Sequence, residues 1–182
     1  MKQLHLILDE NTSAMQWANS QADKLGARGH VGTHLDCYTT TPKESEYNLS
    51  AIILDCKANM PRPEDLDFIN SLENRALILH TGNLENNKYG TDEYFGKETF
   101  LSEDTLNSIL KKKPFFIIID SHGIAEKGKK HISFDKTCEA NGCHVIENVD
   151  LSLIQEQESA QIKILINIDH PSTGKPCEIY CL

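Results

Sequence analysis

Along the chain, short uninterrupted apolar runs alternate with stretches in which apolar residues recur every three or four positions. The runs 4–8 (LHLIL), 31–35 (VGTHL), 51–54 (AIIL), 76–79 (ALIL), 115–119 (FFIII) and 163–168 (KILINI) have strand length. A shorter seventh lies at 143–146 (CHVI). Several are apolar throughout, the pattern of parallel strands covered on both faces. Residues 13–25 place Met15, Ala18, Ala22 and Leu25 at helical spacing, with Thr12 or Ser13 as cap and Gly26 as stop. Trp17 is expected on the buried side of that helix.

Residues 63–73 begin with Pro63, Glu64 and Asp65 and carry Leu66, Ile69 and Leu72 on one face. Residues 102–113 open at Ser102 with Glu103 and Asp104, close on three lysines and stop at Pro114. A further helix is expected over 131–141, ending at Gly142. The order of elements predicts one α/β domain over 1–182, a three-layer, doubly wound sandwich around a mostly parallel sheet. The runs 4–8, 51–54, 76–79 and 115–119 are its expected central strands, with 31–35 and 143–146 towards the edges.

Composition narrows the partners. A formal net charge of −9 over 182 residues disfavours nucleic acid and anionic membranes, which call for a basic face. The lysines at 111–113 and 127–130 read as solvated helix ends or loops. No apolar stretch approaches the roughly 20 residues of a membrane span. The N-terminal segment is too short and too acidic for a signal peptide. The 6 cysteines are spread along the chain, and Cys37 and Cys56 end expected strands. That suits reduced thiols and a cytoplasmic location. The expected partner is a peptide or protein, with the oligomeric state left open.

The candidate chemistry lies at the strand ends: Asp9, Asp36-Cys37, Asp55-Cys56, His80-Thr81, Asp120-Ser121-His122 and Asp169-His170. Ligands of open parallel sheets bind beyond the carboxyl ends of strands. Acids, thiols and imidazoles gathered there suit a nucleophilic or a metal site. The plainer account is that strands leaving a core meet polar residues, and that Asp caps the helix that follows. The stretch 115–123 (FFIIIDSHG) is the sharpest case, since a strand exit needs no carboxylate, hydroxyl and imidazole together. The segment 82–100 is the one long irregular connection, and loops of that length are commonly functional.

Two family resemblances follow from these motifs. "ALILHTG" and the approach to "FFIIIDSHG" resemble the histidine and nucleophile blocks of caspase-like cysteine peptidases, including the clostripain type and bacterial CHAT domains. That resemblance implies a peptidase (hydrolase) or pseudoenzyme with His80 or His122 as general base beside Asp120. It puts Ser121 where the family has Cys, as a natural or an engineered replacement. Independently of any family, Cys56 and His80 follow consecutive strands and form a candidate dyad, so Cys56 shares the nucleophile position with Ser121. The segment 47–83 is similar to flavodoxin-like proteins, which implies a binding or scaffold domain. Its Tyr89, Tyr94 and Phe95 would correspond to flavin-flanking aromatics. The first loop, Asp9 to Ser13, sets two carboxylates where that family binds phosphate, so FMN is not expected. Cys138, Cys143, Cys177 and Cys181, with His131, His144 and His170, contain enough donors for zinc. They lack a knuckle arrangement, and small buried hydrophobes are the simpler reading. No metal and no cofactor are therefore expected.

Overall fold

The computed structural model describes residues 1–154 and 158–182. Eight strands are present among them: β1 (Lys2–Gln3), β2 (His34–Asp36), β3 (Glu46–Asp55), β4 (Arg75–His80), β5 (Phe116–Ile119), β6 (His144–Glu147), β7 (Ser159–Ile166) and β8 (Gly174–Cys181). The helices are α1 (Ser13–Lys24), α2 (Asn83–Asn86), α3 (Asp92–Gly96), α4 (Glu103–Leu110) and α5 (Lys129–Ala140). Short 3-10 turns cover Arg28–His30 and Pro63–Leu66.

The sheet runs β1-β8-β2-β6-β5-β4-β3-β7, and β7 pairs with β8. That last pairing joins the two ends, so seven strands close into a mixed barrel with β1 lying outside the ring against β8. β3, β4, β5 and β6 are mutually parallel, whereas β2, β7 and β8 pair antiparallel with their neighbours. The expected doubly wound, three-layer sandwich is therefore corrected. An open parallel sheet has two free edges, and here β7 and β8 remove them by pairing over Ile162–Ile166 and Cys177–Cys181.

Strand alternation explains why the sequence misled. Ala76, Ile78, Phe116, Ile118, Ile162, Ile164 and Ile179 fill one core. Leu77, Leu79, Ile117, Ile119 and Val145 point the other way, into a second core with Leu106, Ile109 and Phe134. The first core is the barrel interior; the second lies beneath the helices outside it. Strands β4 and β5 are thus apolar on both faces without belonging to a doubly wound sheet. On β7 the outward positions are Ser159, Gln161, Lys163 and Leu165, polar but for the last.

Other boundaries shift for local reasons. The run 4–8 contributes only an isolated bridge at His5 and not a central strand, while 143–146 falls in β6, inside the parallel group. Of 63–73 only the turn Pro63–Leu66 is helical, although Leu66, Ile69 and Leu72 are buried. α4 starts where Ser102 accepts from the Thr105 N–H at 3.1 Å. Trp17 is 67% exposed, against the expectation of burial. Among the described residues no helix is long and apolar enough to cross a membrane.

One backbone contact sets the position of the turn before β2. A Cβ on Gly29 would lie 1.8 Å from the Gly174 carbonyl oxygen, at the start of β8. Only glycine permits this approach. Gly29→Ala is expected to destabilise the protein by about 1–3 kcal/mol through overpacking. A urea midpoint unchanged from the parent would refute that close approach.

Candidate metal centre

The side chains with the most pronounced convergence belong to β2, the preceding turn, β6 and α5. On β2, His34 and Asp36 are two residues apart and share the outward face, while Leu35 between them enters the barrel core. His34 is in register with Glu147 on β6. His30 follows Gly29 in the 3-10 turn. On α5, His131, Asp135 and Glu139 recur every fourth residue and so form one stripe facing these strands.

His30 Nδ1 lies 3.2 Å from His34 Nε2 and 3.1 Å from Asp36 Oδ1, and His34 Nε2 is 3.6 Å from the same oxygen. His34 Nδ1 lies 2.9 Å from the Gly32 carbonyl, to which it donates. That bond leaves Nε2 as a bare lone pair, an arrangement familiar in metal-binding histidines. Burial lowers the His34 pKa further and favours the neutral ring, although Asp36 opposes it. His30 Nε2 is anchored at 2.8 Å by the Thr173 hydroxyl. Two imidazole nitrogens and a carboxylate oxygen therefore face one another.

A second group adjoins the first through Asp36. His131 Nε2 is 3.4 Å from Asp36 Oδ2, 3.2 Å from Asp135 Oδ2 and 3.5 Å from Glu147 Oε1. Neither oxygen of Asp36 or Asp135, nor Glu147 Oε1, has a partner in hydrogen-bond geometry, and all are buried. Burial alone would raise Asp36, but His131 and His30 hold it well below the usual carboxylate range. Asp135 is pushed up to about 8 by burial and by Asp36. Burial and the same neighbour carry Glu147 well above its ordinary value. Burial works to lower His131, yet Asp36 and Asp135 leave its pKa raised.

These residues fit a divalent cation. Two sets, His30–His34–Asp36 and Asp36–His131–Asp135, each bring their donor atoms within 4.8 Å of one another. Mixed imidazole and carboxylate donors suit zinc, manganese or iron(II). Orphaned buried carboxylate oxygens are what such an ion would satisfy. Second-layer contacts hold the frame. Glu139 accepts from the N–H groups of Tyr38, Thr39 and Thr40 at 2.6, 2.6 and 2.8 Å, which ties the chain after Asp36 to α5. Asn148, at a positive φ of 58°, donates to Gly32 O at 2.9 Å and accepts from the Tyr94 hydroxyl at 2.5 Å.

A cavity of about 380 Å³ opens onto this cluster. His30, His34, His131 and Glu147 line it, as do Tyr89, Phe95, His122 and Lys127. Tyr89 and Phe95 come from the 82–100 segment. A larger cleft of about 780 Å³ by Leu54, Asp55 and Arg62 holds no comparable convergence of donors among the described residues.

Of the residues expected from sequence, Asp36 belongs to the cluster and His122 lines the cavity, whereas His80, Asp120, Ser121 and Cys56 lie elsewhere. His80 Nε2 is 2.5 Å from Glu85 Oε1. Asp120 accepts from the Thr81 N–H, the Thr81 hydroxyl and the Gly82 N–H, each at 2.7 Å, and so staples the ends of β4 and β5. Ser121 Oγ accepts from Asn83 Nδ2 at 2.8 Å and lies 2.9 Å from the Thr99 hydroxyl. Burial, with Asp120 and Asp55 nearby, pushes the Cys56 thiol up to about 12, and its Sγ faces the Leu54 carbonyl at 3.5 Å. His122 is buried in the cavity wall, with Nε2 3.2 Å from the Lys97 carbonyl. Sequence reasoning missed His30, His34, Asp135 and Glu147. The available signal was spacing: His30-x3-His34-x-Asp36 leading into a strand, and His131-x3-Asp135 on a helix. Of the donors that the sequence offers for zinc, His131 belongs to the cluster and the cysteines do not.

No family model and no curated protein matches the sequence. Solved structures do share the fold. A novel cyclase is similar with a TM-score of 0.68 at 11% identity, covering 99% of this chain and 87% of its own. A predicted metal-dependent hydrolase from Bacillus stearothermophilus has a TM-score of 0.61 at 18% identity, covering 84% and 76%. An isatin hydrolase bound to the product analogue thioisatinate has a TM-score of 0.64 at 13% identity, covering 85% and 72%. These neighbours overturn both the caspase-like, clostripain-like peptidase resemblance and the flavodoxin-like alternative.

The crowding of carboxyl groups has a pH signature. With Asp135 held near 8, the folded chain, stripped of metal by chelation, keeps a proton there that the unfolded chain has lost. From about pH 4 to about pH 8 the native state binds more protons at this group, so its contribution to stability falls as pH rises. In chelated protein, Asp135→Asn should therefore lose less stability than the parent between pH 5 and pH 8. Parallel melting-temperature profiles for the two would contradict this reading. As the conclusion of the geometry and the comparisons together, the chain has the barrel fold of structures described as metal-dependent hydrolases and cyclases, with a cation-ready cluster on its outer wall.

Proposed function

We propose that the protein is a metal-dependent hydrolase acting on a small ester or amide, cyclic ones included. The observation that carries this reading is the convergence of His30 Nδ1, His34 Nε2 and Asp36 Oδ1 beside a cavity of about 380 Å³. The descriptions of the structural neighbours as metal-dependent hydrolases, cyclases and isatin hydrolases support the same class.

A divalent cation bound at such a cluster acts as a Lewis acid, polarising a carbonyl and lowering the pKa of water. The chain's own residues do the rest. His30, His34 and Asp36 would hold the ion, and Gly32 and Thr173 orient the two rings. His131, within 3.2–3.5 Å of three carboxylates, is suited to hold and move a proton at Nε2. The cavity admits a substrate of modest size and limits water around it.

A second reading has two cations sharing Asp36. It is favoured by the unpartnered oxygens of Asp135, which face the second group of donors. Metal analysis of chelated and reloaded protein distinguishes the two: one ion per chain is expected, and two would support the shared arrangement.

Activity follows from the same residues. Manganese- or zinc-loaded protein should hydrolyse members of a panel containing phenyl acetate, formanilide and a cyclic imide, and chelation should abolish this. Asp36→Ala is expected to lower kcat/KM by at least about a hundredfold, since changes even in outer-layer partners of a metal cost 10–100-fold. Hydrolysis insensitive to both chelator and Asp36→Ala, or none at all across the panel, would overturn the proposal.

A further inference from the structure

The cavity has one wall that the metal cluster does not use. Lys127 sits in the loop between β5 and α5, just before Gly128, whose positive φ of 102° turns the chain into the helix. Its ammonium lies 3.6 Å from the centroid of the Phe95 ring. Among the described residues it has no carboxylate within 4.0 Å. A solvated surface lysine normally points into water, and this one is folded back over an aromatic face at the cavity mouth. Cation–π contact holds the charge in place without neutralising it. It is also the only Lys or Arg among the described residues lining the cavity.

The surroundings define what such a cation would meet. Tyr89, Phe95 and His122 give the cavity flat walls, and His122 stacks edge-on or tilted against Tyr94, Phe95 and Phe100 at 5.6–6.1 Å. His122 Nδ1 is buried and finds no partner beyond its own backbone. Glu147 lines the same cavity, and its charge and that of Lys127 act on one another. A ligand filling this space therefore meets the cluster, the aromatic walls and the Lys127 ammonium.

We propose that Lys127, held over Phe95, receives a carboxylate of the substrate, so that the site selects planar carbonyl compounds bearing an anionic group besides the bond cleaved. This rests on the hydrolase reading of the metal cluster. Lys127 is then a specificity-determining residue that contacts substrate and takes no part in bond cleavage.

The test compares matched probes on metal-loaded protein. For hydrolysis, 4-acetoxybenzoate is set against phenyl acetate, which differ in the carboxylate. Lys127→Ala is expected to raise KM for 4-acetoxybenzoate about tenfold more than for phenyl acetate, in line with loss of one charge-assisted hydrogen bond. Lys127→Arg should retain the preference. Equal effects on the two esters would overturn the assignment. A binding arm does not depend on turnover: calorimetric titration with benzoate and with benzamide. The parent should bind benzoate more tightly, Lys127→Ala should lose the difference and Lys127→Arg should keep it. If the difference survives in Lys127→Ala, the carboxylate is bound by the metal cluster and the proposal fails. Absence of hydrolysis with both esters would count against the hydrolase reading, while the benzoate–benzamide difference would still decide the role of Lys127.

Discussion

A buried carboxylate with no hydrogen-bond donor is costly, and Asp36 has neither oxygen satisfied by donor geometry. Its neighbours are imidazole nitrogens at 3.1–3.6 Å, from His30, His34 and His131. Two of those rings come from the turn and strand that lead to Asp36, and the third from α5. The resulting cluster has more lone pairs than protons to fill them. Either protons or a metal ion must compensate, and the raised pKa values of Asp135 and Glu147 are what protons alone produce. A divalent ion resolves the same crowding more completely, because it satisfies several acceptors at once.

The barrel keeps that cluster in place. Leu35 and Ile146 point into the interior, which forces His34, Asp36 and Glu147 outward towards α5. Closure through β7 and β8 brings β8 beside β2, and the Gly29–Gly174 contact seats the turn carrying His30. The 82–100 segment is tied to the same frame through the Tyr89 and Tyr94 hydroxyls, bonded to Gly32 N and Asn148 Oδ1. A long connection has thereby become a fixed wall of the cavity.

Much of the strand content was legible in the sequence, because the apolar runs at 51–54, 76–79, 115–119 and 143–146 fall within or beside strands. The architecture was not. A strand covered by barrel core on one face and by a helix on the other reads the same as one in a doubly wound sheet. What separates the two is the alternating polarity of β7, and of β8, a strand that the apolar-run criterion passes over because Lys175 and Glu178 interrupt it. The site was legible only as fragments. Asp36 and His131 each stood out alone, but sequence distance hid that α5 packs against β2. Asp120, Ser121 and His80 attracted attention for their chemistry, and each proves to be engaged in local hydrogen bonds at strand ends.

The decisive question is whether Asp36 shares its carboxylate with a metal ion. Anomalous diffraction at the manganese or zinc edge, on crystals of chelated protein soaked in that metal, reads this directly. A peak is expected at ligand distance from Asp36, about 2.0–2.2 Å for zinc and carboxylate oxygen, contacting His30 and His34 as well. Full occupancy at some other position, with Asp36 and its imidazole neighbours left unligated, would contradict it.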